Sequence, residues 1–166
     1  MKLYELPQSL IVLPKDNKIP PFGLTIDFAE GAFADHYFAP NNVNDLWALL
    51  GGAFSLLPKI FFEIERKDSQ LKFQGFGNEH GFCLFQDTYK HEILIFGQPS
   101  INDDNPDLLQ IWDDRWGLTY FLPRTALVDF EKMVMLGNQV LQTGKLPGHI
   151  AFSQKFTDLG LPQGYC

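Results

Sequence analysis

The 166-residue sequence predicts a single α+β domain organised around a central, mainly antiparallel sheet of about five or six strands. Short runs of alternating apolar residues repeat four times over 59–97, which is typical of an antiparallel meander. Additional strands are expected within 9–28 and at 116–122. Apolar residues at helical spacing over 125–143 predict a C-terminal helix packed on one face of the sheet. Gly137 costs this helix roughly 1 kcal/mol relative to Ala, so we expect it to mark a close approach to the sheet.

The central stretch is predicted to contain four strands joined by short turns. Residues 60–66 alternate between an apolar face and a wetter face that carries two glutamates. Gly75, Gly77 and Gly81 surround a polar tripeptide, which predicts a turn through positive φ. The run 92–96 is apolar on both faces and therefore predicts a strand covered from both sides.

The N-terminal part is predicted to form short strands. Residues 1–40 contain five prolines, and each one removes a backbone donor and fixes φ, so long helices are not expected there. Strands are predicted at 9–13 and 22–28, the second with apolar alternation. Residues 30–37 are ambiguous between a helical turn and a loop, and we expect them to be irregular.

A short helix of about two turns is predicted at 46–50. The Asn-rich segment 41–45 offers capping side chains, and Gly51–Gly52 is expected to end the helix. An extension through 53–57 stays open, with Pro58 as its limit.

The region after the meander is predicted to begin with another helix. Asn105 is expected to cap it, with Pro106 in its first position and apolar residues over 108–112. The run 116–122 is expected to be a strand beside the meander, and the tail from residue 145 onward is expected to be irregular.

The charge composition argues against a nucleic-acid partner. Thirteen Lys and Arg against 20 Asp and Glu give a formal net charge of −7, and no run of basic residues occurs. Binding to phosphate needs clustered positive charge, which this sequence lacks. The 16 Phe leave two interpretations open, a Phe-rich core or an apolar groove.

The sequence also predicts a compartment. An acid and a proline interrupt the first residues, where an export signal requires a continuous apolar run. The apolar run 10–13 is far too short to span a membrane. Cys83 and Cys166 do not make a disulfide framework, so reduced thiols are expected. We therefore expect a cytoplasmic protein without a membrane partner.

Candidate catalytic and metal-binding residues are few. His80, Cys83 and His91 have the right chemistry for a metal site, but strand neighbours face opposite ways and paired Cys or His motifs are missing. No serine lies in a nucleophile elbow. Cys83 has no nearby cation to lower its pKa and is predicted to be a structural, slowly reacting thiol. The sequence thus predicts no catalytic residue, no metal site and no cofactor.

The most distinctive charge feature is the segment 101–114, which carries five aspartates and no basic residue. Helix capping and the helix dipole explain Asp107 and Asp104, and a solvated acidic face is the simpler interpretation of such a run. Asp113 and Asp114 have no such explanation, and nearby tryptophans are typical anchors of protein interfaces. We predict a partner-binding surface that comprises Asp103, Asp104, Asp107, Trp112, Asp113, Asp114 and Trp116.

Two functions stay open on this sequence. The first is a small acidic protein-binding module, specifically a bacterial immunity protein that neutralises a toxin domain by covering its basic surface. The second is an enzyme or small-ligand binder that uses a Phe-lined cavity in the sheet, with His80, His91 or Asp27 at its mouth. A co-purifying protein would favour the first function, and a bound metabolite or metal would favour the second.

Overall fold

The computed structural model describes residues 5–12, 21–27, 36–57, 59–87, 92–97, 107–113 and 118–153, and it confirms the predicted α+β fold. In chain order the elements are a 3-10 helix at Gln8–Leu10, β1 at Phe22–Asp27, β2 at His36–Phe38, α1 at Val43–Leu56, β3 at Lys59–Arg66, β4 at Lys72–Asn78, β5 at Gly81–Asp87, β6 at Glu92–Phe96, β7 at Leu108–Asp113, β8 at Leu118–Pro123, a 3-10 helix at Arg124–Ala126, α2 at Phe130–Thr143 and β9 at His149–Ser153.

The main sheet has seven antiparallel strands in the order β2-β1-β3-β4-β5-β6-β9. Strands β3 to β6 are the predicted meander, in which each strand pairs with the next one in the sequence. Strands β1 and β2 extend the sheet beyond β3, and β9 extends it beyond β6, so the meander occupies the middle.

Both faces of the meander are buried. Ile60, Phe62 and Ile64 of β3 lie in one cluster with residues of α1 and α2, so the two helices cover the same face. The opposite face carries a second cluster, formed by Phe61, Phe76, Cys83, Phe85, Ile93, Ile95 and Ala126. Because β6 contributes to both clusters, the prediction that 92–96 is covered from both sides is confirmed.

Helix α1 is longer than predicted. Asn42 caps it by accepting a hydrogen bond from the Asp45 backbone N–H at 2.9 Å. The helix then continues through Gly51 and Gly52, so the predicted stop there is wrong. Both glycines are buried, and burial against the core outweighs their low helix propensity. The helix ends before Leu57, whose backbone is extended as expected for a residue that precedes proline.

Helix α2 ends where predicted but begins five residues later than residue 125. Asp129 caps its first turn and accepts a hydrogen bond from the Lys132 backbone N–H at 2.7 Å. Just before the cap, Val128 exchanges backbone hydrogen bonds of 2.8 and 2.7 Å with Phe82 of β5. That bridge fixes the chain as extended and delays the helix. Gly144 ends the helix in the left-handed conformation, at φ 68°.

Two predictions for the N-terminal part are corrected. Residues 9–12 of the predicted strand 9–13 do not form a strand, because Ser9 and Leu10 belong to a 3-10 helix and the Val12 backbone is paired with a side chain; residue 13 lies outside the described residues. The Asn44 amide accepts from the Val12 N–H at 3.0 Å and donates to its carbonyl at 3.1 Å. The strand predicted at 22–28 is confirmed as β1 up to residue 27, and β2 begins at His36, inside the segment 30–37 that was expected to be irregular. Residues 28–35 lie outside the described residues.

Three predictions for the C-terminal half are also wrong. Residues 108–113 form the strand β7 rather than a helix, and β8 pairs with β7 in a separate two-stranded sheet rather than beside the meander. The segment 149–153, expected to be irregular, is the edge strand β9. The apolar spacing of 108–113 fits a helix as well as a strand, and β9 pairs with β6, which is distant in sequence, so local periodicity does not reveal either strand.

The glycines of the meander serve different purposes. Gly81 has φ 143° and supports the predicted turn. Gly75 and Gly77, predicted as turn residues, lie inside β4, where rings of Phe62 and Phe54 cover them. These positions lack a Cβ because the aromatic rings occupy its place.

Candidate protein-binding site

Three residues of the predicted partner-binding surface lie in or next to the β7–β8 hairpin, namely Asp107, Trp112 and Asp113. The register runs from Leu108 opposite Pro123 to Asp113 opposite Leu118. Because residues 108–113 form a strand, the helix-dipole arguments about Asp107 and Asp113 do not apply. Asp107 and Asp113 therefore have no explanation from a helix.

Asp107 lies at the open end of this hairpin and is 78% exposed. Its carboxylate pairs with the Arg124 guanidinium at 3.0 Å, and its carbonyl accepts the Arg124 backbone N–H at 2.9 Å. Arg124 is itself 44% exposed, so the pair is a surface ion pair worth about 0.2–1 kcal/mol. So weak a pair leaves Asp107 available to a cationic partner.

Asp113 lies at the opposite end of β7 from Asp107. The two are six positions apart in the sequence, which corresponds to about 20 Å at about 3.3 Å per strand residue. The structure thus places Asp107 and Asp113 at the two ends of one strand, rather than at the two ends of the helix that the sequence predicted. Trp112 and Asp113 are the last two residues of β7, whereas Asp103, Asp104, Asp114 and Trp116 lie outside the described residues.

The alternative site was predicted from Asp27 and two histidines around a Phe-lined cavity. Phe61, Phe76 and Phe85 pack together in the second cluster and are at most 2% exposed, so these rings are part of the core. Asp27 is 5% exposed and lies opposite Phe61 in the sheet register, which makes it a buried carboxylate next to this cluster. His80 is instead an exposed residue beside Glu79, and His91 lies outside the described residues.

Cys83 is buried, in agreement with the prediction of a structural thiol. It is 1% exposed, and its Sγ lies 3.8 Å from the Leu84 carbonyl oxygen. Burial raises the pKa of the Cys83 thiol to about 12, because the thiolate would be desolvated. His80 is exposed whereas Cys83 is buried, and within the described ranges no three His, Cys, Asp or Glu residues converge for a metal ion.

The sequence analysis missed a surface at the β2 edge of the sheet. Tyr37 is 52% exposed and lies over Gly23 of β1, where a Cβ would come within 2.5 Å of the Tyr37 hydroxyl oxygen. The Lys67 ammonium lies 4.9 Å from the centroid of the same ring. Hydrogen bonds with Glu65 and then Tyr37 raise the pKa of Lys67.

A cleft of about 300 Å³ follows directly after β2 and is lined by Phe38, Ala39, Pro40, Asn41, Asp45 and Leu49. The only signal of this cleft in the sequence was the aromatic pair Tyr37 and Phe38, which precedes Pro40 and the Asn-rich segment 41–45.

Comparison with known proteins gives no relative: no family model, no curated protein and no solved structure matches this chain. Within the described residues, no helix combines the length and the apolar character needed to cross a membrane.

Proposed function

We propose that this protein is an acidic protein-binding module of the immunity type, which neutralises a basic toxin domain by binding it through the β7–β8 hairpin. One observation carries the proposal. The segment 101–114 holds five aspartates without a basic residue, and it leads into and through the first strand of a hairpin separate from the main sheet. The 78% exposure of Asp107 supports the same assignment, since it shows one of these acids open to solvent.

The physical basis is electrostatic attraction at long range and aromatic contact at short range. Clustered acids raise the association rate with a cationic surface by 10-fold or more, roughly, and salt screens this effect over about 8–10 Å. Tryptophans such as Trp112 and Trp116 are typical of the residues that dominate binding energy at the centre of an interface. A toxin nuclease domain fits this chemistry, because it must itself carry positive charge to bind nucleic acid. The cytoplasm of a bacterium is the compartment we propose, where such a toxin would act.

The experiment uses two pairs of acids from the segment 101–114. The full chain is first used to isolate a partner, and association rates are then measured at low and high salt. Asp113 and Asp114, replaced together by Asn, should slow association several-fold at low salt and flatten its salt dependence. The Asp103 and Asp104 pair, replaced in the same way, shows whether the acids that precede the hairpin in the sequence contribute.

A matched control removes two acids elsewhere. Glu79 is exposed, and so is Glu131, so replacing both by Gln lowers the charge equally without touching the hairpin. We expect this control to change association less than either hairpin pair. If all three double variants slow association equally, only net charge matters and the hairpin is not the binding surface. If the hairpin pairs leave the rate at low salt unchanged, the acidic segment is a solubility feature.

A second candidate function is binding of a small ligand beside Asp27. The observation that favours it is the 5% exposure of this carboxylate next to the apolar cluster of Phe61. Buried carboxylates are uncommon without a specific role, because burial of a charge is costly. Mass spectrometry of the purified protein under native conditions tests this alternative. A stoichiometric bound metabolite that is lost in Asp27→Ala would support it, and a mass equal to that of the bare chain would count against it.

A further inference from the structure

The cleft that follows β2 combines apolar walls with one carboxylate. Its lining comes from the segment 38–41, which leaves β2, and from one face of α1. Asp45 and Leu49 are four positions apart on that helix, so their side chains lie on the same face, one turn from each other. Of the described residues that line the cleft, only Asp45 carries a charge. The cleft therefore offers one polar end and one apolar end.

The apolar walls of the cleft are held in place by the core. Phe38 and Leu49 are half-buried, and both pack against the cluster beneath the helices while they line the cleft. Pro40 restricts the backbone between Phe38 and the cap of α1, because its ring fixes φ. Walls that are set before a ligand arrives lower the entropic cost of binding.

The Asp45 carboxylate is held by the cap of α1. Its Oδ2 accepts a hydrogen bond of 3.0 Å from the Asn42 side-chain amide, and the Asp45 backbone N–H donates to Asn42 Oδ1 at 2.9 Å. A carboxylate has about four acceptor sites on its two oxygens, so the bond from Asn42 leaves capacity for the donors of an ammonium group. The side chain is half-buried, and the lower local dielectric strengthens its attraction for a cation.

The same geometry disfavours an anion or a metal ion in the cleft. The first turn of a helix attracts anions, but the Asp45 carboxylate already supplies the negative charge at this turn of α1. A divalent cation needs several oxygen ligands, whereas the cleft offers one carboxylate. An organic ammonium ion needs a single charged acceptor, and its apolar part suits the remaining walls. The net charge of −7 adds a general attraction for cations.

The dimensions of the cleft limit the size of the ligand. A volume of about 300 Å³ equals that of about ten water molecules, at about 30 Å³ each, so it holds a molecule of about ten non-hydrogen atoms. Asp45 and Leu49 are separated by about 6 Å along the helix axis, at about 1.5 Å per residue. A chain of two or three carbons between an ammonium group and an aromatic ring spans a similar distance.

We propose that this cleft binds a small primary amine in its ammonium form, with the ammonium group on Asp45 and an aromatic ring on a short carbon chain between Phe38 and Leu49. Phe38 and Leu49 pack against the helix-covered cluster, whereas Asp27 lies next to the cluster on the opposite face of the sheet, so the two sites are separate. The site uses no residue of the segment 101–114, and the inference does not depend on the immunity function.

The test titrates the full chain, labelled with nitrogen-15, with phenylethylamine and follows the backbone amide shifts. Phenylethanol and phenylpropionate are the matched probes, because they replace the ammonium group by a hydroxyl and by a carboxylate. We expect saturable shifts within 38–49 and a dissociation constant of roughly 1 mM or less for the amine, with roughly 10-fold or more weaker binding of the other two. Equal affinity for the amine and the alcohol would overturn the role of Asp45, and the absence of saturable shifts within 38–49 would overturn the site.

Three variants locate the bound amine. Asp45→Asn should weaken phenylethylamine binding roughly 10-fold and leave the weak binding of phenylethanol unchanged. Glu79→Gln is the matched control, since it removes the same charge from a side chain that is 78% exposed and lies outside the cleft. Ala39→Arg, at an exposed position of the lining, should abolish binding of both probes, and it tests the site even if Asp45→Asn fails to fold. Equal losses in Asp45→Asn and Glu79→Gln would show that only net charge attracts the amine, and unchanged binding in Ala39→Arg would place the amine elsewhere; either result contradicts the proposal.

Discussion

Replacement of Gly75 by alanine adds only one methyl group, yet we expect it to destabilise the fold strongly. Gly75 lies inside β4 directly opposite Phe62 of β3. A Cβ added at this glycine would overlap Cζ, Cε1 and Cε2 of the Phe62 ring. The ring is 0% exposed and belongs to the cluster beneath the helices, so it has no open space into which to move.

The magnitude of the Gly75→Ala effect follows from two opposing contributions. Alanine is favoured over glycine in a strand by about 0.5–1 kcal/mol, because glycine loses more conformational entropy on folding. Overpacking a close-packed core costs about 1–3 kcal/mol, and overlap with three ring atoms corresponds to the upper part of that range. We expect a net loss of about 2 kcal/mol in the free energy of unfolding, or about 4–8 °C in the thermal midpoint for a chain of this size.

A double-mutant cycle with Phe62→Leu tests the cause. Leucine lacks the three ring atoms that would overlap, and their removal costs about 2 kcal/mol, at about 0.8 kcal/mol for each buried carbon. In the double variant the alanine methyl occupies part of the vacated space. The double variant should therefore lose about 2 kcal/mol in the free energy of unfolding, whereas additive effects of the two single variants would give about 4 kcal/mol. The difference is a coupling energy of about 2 kcal/mol.

Urea titrations followed by far-UV circular dichroism measure all four proteins of the cycle. Gly148→Ala is the matched control, because a Cβ added there meets nothing within 4 Å. It should change the free energy of unfolding by less than about 0.5 kcal/mol. Additive losses in the double variant, or a Gly75→Ala protein as stable as this control, would refute the argument from the Phe62 ring.

Other changes probe the helices and the buried thiol. Gly137→Ala should lower the free energy of unfolding by about 1–2 kcal/mol despite a better helix propensity, because the added Cβ would overlap the Trp47 ring; a stabilised variant would contradict this. Asp129→Ala should cost about 1 kcal/mol in the same titration, since it removes the cap on the Lys132 N–H, whereas Asp129→Asn should retain most of the stability. The raised pKa of Cys83 gives stability that is complete below its ordinary value of 9.0 and is lost as the pH rises toward about 12. From pH 9 to 10.5 the free energy of unfolding of the wild type should therefore fall by about 2 kcal/mol more than that of Cys83→Ala. Equal decreases in the two proteins would show that the thiol is accessible.

Much of the fold was predictable where neighbouring residues carry the signal. The alternation in 60–66 reports which side chains of β3 face the helices, because successive strand residues point to opposite faces. Gly144 ends α2 because it adopts a left-handed conformation that other residues disfavour. Gly137 was correctly associated with a close approach, although its nearest neighbour is Trp47 of α1 and only then Leu84 of the sheet.

Local signals failed where strand pairing or burial decides the conformation. The apolar residues in 108–112 fit a helical stripe, but pairing with 118–123 makes this segment a strand. In α1, burial of Gly51 and Gly52 keeps the helix intact through two residues that usually end one. Propensities of about 1 kcal/mol or less per residue are small against the packing of an entire element.

The sequence by itself determined the chemistry available for binding. It shows an acidic segment with adjacent tryptophans, a net charge of −7 and a cysteine without activating neighbours. Only the tertiary structure decided the arrangement: it places Asp107 and Asp113 at opposite ends of β7 and joins β2 with α1 around a cleft. The physical reason is that charge and residue type belong to single positions in the chain. Separations and clefts, in contrast, depend on which strands pair and on which helix covers them.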